Sequence, residues 1–149
     1  MRRVLIAAGL VALLGLSACD KPKEEAAAPA APKYFGRQQQ MYAGQEPLAS
    51  VASAAISVDK AGALAMTAQA SAPGAGYTNL GFLRRIYAAA PKDGVYELDI
   101  VGDKPAGAAA QAVTPVEVIG AWDGYPKDRL KGVRLITKTG AVVAMLPPA

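Results

Sequence analysis

The feature that most constrains the fold is a series of short segments in which apolar and polar residues alternate, with turn-forming residues between them. Residues 95–101 are the clearest example, because Leu98 and Ile100 fall on one side while Glu97 and Asp99 fall on the other. A period of two is typical of a β-strand with one buried face. The sequence contains no long amphipathic helical pattern, so these segments predict an all-β chain.

About seven strands of this kind are predicted. They lie within residues 48–58, 63–72, 82–88, 95–101, 110–120, 131–138 and 141–146. Pro115 cannot donate a backbone hydrogen bond, which predicts that its strand is bulged or lies at a sheet edge. Short strands with regularly spaced turns predict an antiparallel two-sheet β-sandwich with an immunoglobulin-like outline. A small barrel is the alternative.

The N-terminus has the organisation of a secretory signal. Arg2 and Arg3 come first, residues 4–16 are almost wholly apolar, and small residues lead up to Cys19. The apolar run is shorter than the ~20 residues that a membrane-spanning helix needs. Residues 1–18 are therefore predicted to be a cleaved signal peptide, with an uncleaved segment serving as a crude anchor as the alternative.

The four residues Leu16-Ser17-Ala18-Cys19 resemble the lipobox of bacterial lipoproteins. The resemblance implies that Cys19 receives a diacylglyceryl group, that cleavage frees its amine, and that the amine is then acylated. Asp20 resembles the inner-membrane retention signal of many Gram-negative lipoproteins. It favours the periplasmic face of the inner membrane over the outer membrane.

The mature chain divides by composition into three parts. Residues 19–33 are rich in Ala, Pro and charge, without an apolar face, and are expected to form a tether. Residues 34–47 are expected to be an irregular lead-in, and residues 48–149 to form the sandwich. From residue 34 onward the sequence has eleven Lys or Arg and nine Asp or Glu. This weak charge, without a basic block, gives no indication of nucleic-acid binding.

The predicted sandwich is similar in several stretches to a family of small secreted bacterial proteins of unknown function. The similarity implies a compact β-sandwich and carries no activity, so it assigns no functional residue. The stretches are Gly76-Tyr77-Thr78-Asn79, residues 91–99, Thr114-Pro115-Val116 and residues 131–135.

Few residues in the sequence suggest catalysis. Histidine is absent, which removes the usual general base and zinc ligand. There is no glycine-rich phosphate-binding loop. We therefore expect no metal, no cofactor and no catalytic residue. Glu97 and Asp99 are expected on the solvated face of a strand, although a carboxylate-based enzyme remains an alternative.

Three aromatic residues in glycine- and proline-rich stretches are candidates for contact with a partner. They are Tyr77, Trp122 and Tyr125. Trp122 is favoured as a core residue because the chain has few other large side chains. Arg84 and Arg85 are expected at the surface beside a strand.

These observations predict an envelope-tethered, non-enzymatic lipoprotein that acts as a binding or accessory module. Its expected partners are the membrane, through lipid on Cys19, and an envelope protein or a glycan. A small-ligand carrier and an enzyme with an unfamiliar carboxylate site are the alternatives.

Overall fold

The computed structural model describes residues 36–39, 41 and 44–148, and these form eight β-strands. The predicted signal peptide, Cys19 and the tether lie outside the described residues. No helix in this part of the chain has the length and apolar character needed to cross a membrane. The strands are β1 (Gln45–Pro47), β2 (Ser50–Val58), β3 (Leu64–Ala72), β4 (Thr78–Arg84), β5 (Val95–Asp103), β6 (Thr114–Trp122), β7 (Gly132–Ile136) and β8 (Ala141–Met145).

The strands form two sheets, and β5 is the central strand of the larger one. One edge of β5 pairs with β4. The other edge is shared, since β7 pairs with the first half of β5 and β1 pairs with its last residues. β8 extends this sheet beyond β7. The smaller sheet has the order β2-β3-β6 and is antiparallel throughout.

The predicted all-β sandwich is confirmed, with one difference in strand direction. β5 and β7 pair in parallel, whereas the other strand pairs are antiparallel. Between them the chain passes through β6 in the opposite sheet, so β7 returns in the same direction as β5. The larger sheet is therefore mixed. A further difference is that residues 45–47 form β1, where an irregular lead-in was expected.

A single apolar core lies between the inner faces of the two sheets. The alternation predicted for β3 is confirmed, since Leu64, Met66 and Ala68 are buried while Gln69 is exposed. Pro115 lies in β6 at the edge of the smaller sheet, as its missing N–H requires. The largest apolar side chains that are fully buried are those of Leu48, Leu64, Leu98, Ile100, Leu135, Val118 and Val133.

A bulge in β2 changes the set of residues that the first strand directs into this core. The register against β3 shifts between Val51 and Ser53. Val51 and Ala54 consequently both pack against the core, while Ala52 is exposed. A strict period of two would have placed Ala52 and Ala54 on the same side, because a bulge adds one residue to the strand.

Truncating Ile100 should test the central position of β5 in the core. Ile100 is fully buried, so Ile100→Ala removes apolar contacts and leaves a cavity, which typically costs about 2–5 kcal/mol. Ile119→Ala is the matched control, because Ile119 is 67% exposed and its loss should change stability by less than about 0.5 kcal/mol. Urea unfolding followed by circular dichroism measures both variants. Equal effects would contradict the packing described.

Candidate functional site

The two carboxylates of β5 are buried, so the expectation that they lie on a solvated strand face is wrong. Glu97 and Asp99 have relative exposures of 1% and 2%. At β5, the face of the larger sheet that points away from the core is covered as well. Nearly the whole strand is therefore buried on both faces. Charged groups in such a position need partners, because desolvating an unpaired charge is very costly.

Two arginines supply these partners, Arg85 directly after the end of β4 and Arg134 within β7. Arg85 forms a bidentate pair with Asp99, in which Nε donates to Oδ2 at 3.0 Å and Nη2 donates to Oδ1 at 2.7 Å. Arg134 donates from Nη1 to Oε1 of Glu97 at 2.9 Å. The pairing register explains the second contact, since Arg134 lies directly opposite Glu97. Arg85 is therefore largely buried, contrary to its expected surface position.

The N-terminal residues of the described chain complete this cluster. The backbone N–H of Gly36 donates to Oε2 of Glu97 at 2.7 Å, and Arg37 pairs with Ile86 beside the end of β4. A Cβ at position 36 would lie 2.7 Å from Cβ of Arg85 and 2.8 Å from Cζ of Tyr87. Only glycine allows this close approach without movement of its neighbours.

The charges within the cluster stabilise one another. Burial opposes the charge of Arg85, but the hydrogen bond and charge of Asp99, together with the charge of Glu97, raise the pKa of Arg85 above its usual value. For Tyr87, burial disfavours the ionised phenolate and raises the pKa to about 12. The Tyr87 hydroxyl accepts a hydrogen bond from the backbone N–H of Glu97. These groups are held in place and shielded from water, which suits a structural role.

Removing one arginine should show how much the structure depends on this pairing. Arg85→Met leaves Asp99 buried without its main counter-charge, and such a loss typically destabilises a protein by about 3–5 kcal/mol. The adjacent Arg84 is exposed and lies 5.4 Å from the ring centre of Trp122. Arg84→Met should therefore cost no more than about 1 kcal/mol. Urea unfolding compares the two, and an equally mild Arg85→Met would contradict the proposed dependence.

An open polar cleft of about 400 Å³ lies where β1 meets three connecting segments. Glu46 comes from β1 and Tyr77 from the β3–β4 connection. Lys104 comes from the β5–β6 connection, and Lys138 from the turn before β8. The full lining consists of Glu46, Pro73, Gly74, Tyr77, Lys104, Pro105, Gly107, Ala109, Ala110, Gln111 and Lys138.

Glu46 is the centre of the polar contacts in this cleft. The Tyr77 hydroxyl donates to its Oε1, while Lys138 and Lys104 place Nζ 3.1 Å and 3.4 Å from its Oε2. The hydrogen bond from Tyr77 and the two ammonium groups lower the pKa of Glu46, although burial opposes them. The same hydrogen bond raises the pKa of Tyr77 to about 12. Glu46 is therefore ionised and Tyr77 is neutral at ordinary pH.

Backbone hydrogen bonds fix the walls of the cleft. Ala75 N–H donates to the carbonyl of Ala110 at 3.2 Å, which joins the β3–β4 and β5–β6 connections. Gly74 allows this approach, because a Cβ there would lie 2.8 Å from the Ala110 oxygen. The N–H groups of Lys104 and Lys138 donate to the carbonyls of Gly44 and Leu48. These hydrogen bonds hold the segments that form the cleft in a fixed arrangement.

The three aromatic candidates occupy different surroundings. Tyr77 lines the cleft. Trp122 is partly buried against the core, with its ring centre 5.7 Å from that of Tyr96. Tyr125 is 7% exposed and belongs to the core. The structure thus places only Tyr77 beside other cleft residues, and it adds Glu46, Lys104 and Lys138, which sequence reasoning did not single out.

Two other features of the described chain offer less to a ligand. A cavity of about 490 Å³ follows residues 87–93, but three consecutive alanines form much of its lining and leave few polar groups to orient a ligand. Within the described residues, no three His, Cys, Asp or Glu side chains are grouped so that they could hold a metal ion. The cleft around Glu46 is the stronger candidate site.

Comparisons of the chain with protein families, with curated proteins and with solved structures find no match. The fold and the cleft together define a β-sandwich domain with a preformed polar cleft at its connecting segments.

Glu46 should control the ionisation of Tyr77. Glu46→Gln removes the negative acceptor, so the pKa of Tyr77 should fall from about 12 towards 10.0. The raised pKa of Tyr77 stabilises the folded state. This stabilisation is complete below the pKa near 10 that tyrosine has in the unfolded chain, and it is lost as the pH rises towards 12. NMR of 13C-labelled tyrosine rings follows the titration. Glu117→Gln, which changes an exposed carboxylate bonded to Gln69, is the control and should leave the pKa of Tyr77 unchanged.

Proposed function

We propose that this chain is an envelope-tethered, non-enzymatic lipoprotein whose sandwich domain binds a partner through the cleft around Tyr77. The observation that carries the proposal is the contrast between two polar clusters. Glu97 and Asp99, the carboxylates considered for catalysis, are buried in ion pairs, whereas the Tyr77 cleft is open and preformed. Exposed concave surfaces between connecting segments are common sites of binding.

Attachment to the membrane forms the second part of the proposal. It rests on the lipobox-like sequence ending at Cys19, and on the Ala- and Pro-rich residues that separate this cysteine from the sandwich. Two or more acyl chains give stable attachment, whereas one chain gives marginal binding. We favour the periplasmic face of the inner membrane because of Asp20. An envelope protein or a glycan is the proposed partner.

A small-ligand carrier is the second candidate function. The size of the cleft favours it, because about 400 Å³ falls within the range of small-molecule sites. An enzyme that uses Glu97 and Asp99 receives less support, because a substrate would have to displace Arg85, Arg134 and Gly36 to reach them.

Co-purification from gently solubilised membranes tests the proposed function. The native protein should be lipidated at Cys19 and should recover an envelope component, identified by mass spectrometry. Cys19→Ser should abolish lipidation and reduce this recovery. Tyr77→Phe combined with Lys138→Gln should reduce recovery while leaving lipidation intact, because it alters the cleft alone.

The matched control for the cleft variant is Tyr125→Phe combined with Lys127→Gln. This pair changes the same residue types away from the cleft, where Lys127 lies 5.8 Å from the Tyr125 ring. A partner recovered equally with both pairs binds elsewhere on the domain. Native protein that is lipidated and recovers neither protein nor glycan would favour the carrier.

A further inference from the structure

The charges of the Tyr77 cleft are arranged so that a ligand meets positive groups first. The Glu46 side chain is 19% exposed, whereas those of Lys104 and Lys138 are 55% and 42% exposed. The carboxylate therefore lies deeper than the two ammonium groups. No other acidic residue lines the cleft, so its described lining has a formal charge of +1.

Glu46 also brings the two ammonium groups together. Both Nζ atoms contact the same carboxylate oxygen, at 3.1 Å and 3.4 Å, although the two lysines lie in different connections of the sandwich. Without Glu46, two like charges would repel each other and separate. Each ammonium has three donors, so contact with one oxygen leaves donors for a second acceptor.

We infer that this cleft binds an oxyanion, the carboxylate or phosphate group of a ligand, between the ammonium groups of Lys104 and Lys138. Glu46 and Tyr77 act as positioning residues that do not contact the anion, because Glu46 holds both lysines and Tyr77 holds Glu46. The inference rests on the proposed function of the cleft as a binding site and specifies the chemistry of its ligand.

The fixed backbone of the cleft supports this assignment. Lys104 and Lys138 are each anchored by a backbone hydrogen bond to a residue flanking β1, which fixes the points from which their side chains extend. The side-chain amide of Gln111 adds donors at the same cleft. Both lysines remain substantially hydrated, so the attraction should be modest and should weaken as the salt concentration rises.

Titration of the full-length 15N-labelled protein in a non-ionic detergent tests the inference. The probes are acetate, for peptide or sugar carboxylates, and glycerol 3-phosphate, for phosphate headgroups. Acetamide and glycerol are their neutral counterparts, and sodium chloride holds ionic strength constant. We expect saturable amide shifts around residues 104 and 138 with the anions and none with the neutral probes. Comparing the two anions then distinguishes carboxylate from phosphate sources.

Substitution of the lysines provides the decisive comparison. Lys104→Gln combined with Lys138→Gln should weaken anion binding at least tenfold. Lys60→Gln combined with Lys92→Gln removes the same total charge from exposed turns elsewhere and should leave the affinity within about twofold. Glu46→Gln should change the affinity less than the loss of both lysines, because it lets the ammonium groups separate but also removes a negative charge that repels the anion.

The following results would overturn the inference. They are anion shifts that persist in the Lys104/Lys138 variant, an equal loss in the Lys60/Lys92 variant, and shifts that never saturate. Saturable shifts at the cleft with acetamide or glycerol, and none with either anion, would also overturn it. That last result would leave the proposed function intact, because the cleft would still be a binding site.

Discussion

The double burial of β5 is the constraint on which the rest of the structure depends. Its inner face meets the smaller sheet through Leu98 and Ile100, and its outer face carries Glu97 and Asp99. Buried carboxylates can remain there only if cations approach closely, and Arg85, directly after β4, and Arg134, within β7, do so from the two sides of β5. β4 and β7 are therefore connected to β5 by charge pairs as well as by backbone hydrogen bonds. A shift in the register of either strand would separate these charges, so the pairs favour the observed alignment.

Much of this fold could be predicted from local patterns in the sequence. The alternation within β3 and β5, and Pro115 in an edge strand, were sufficient to indicate a two-sheet sandwich. The outer face of β5 was mispredicted because alternation is normally interpreted as one buried and one solvated face. That assumption fails when another part of the chain covers the second face. The parallel pairing of β5 with β7 has no local signal, because the two strands are separated by a complete strand in the other sheet.

The candidate site was only partly predictable for a similar reason. Tyr77 was identified because it follows a glycine-rich turn, but Glu46, Lys104 and Lys138 are isolated charges in segments that meet only in the folded chain. No sequence spacing links them. The buried charge cluster, in contrast, has a weak signal in the sequence. Arg85 and Asp99 carry opposite charges and fall in consecutive predicted strands. Two such strands, paired as a hairpin, place residues of this kind side by side.

If Cys19 carries lipid as proposed, the contact between Gly36 and Glu97 limits how far the domain can extend from the membrane. Sixteen residues, 20–35, lie between that cysteine and Gly36 in the sequence. Even a fully extended chain would place Cys19 and Gly36 no more than roughly 60 Å apart. Detachment of residues 36–44 would add nine residues, or about 30 Å, to this connection, but it would break the pairing of Arg37 with Ile86 and remove a hydrogen bond from the buried Glu97 carboxylate. Under the proposed anchoring, the reach of the domain would thus be limited by the contacts that Gly36 and Arg37 make with the sandwich.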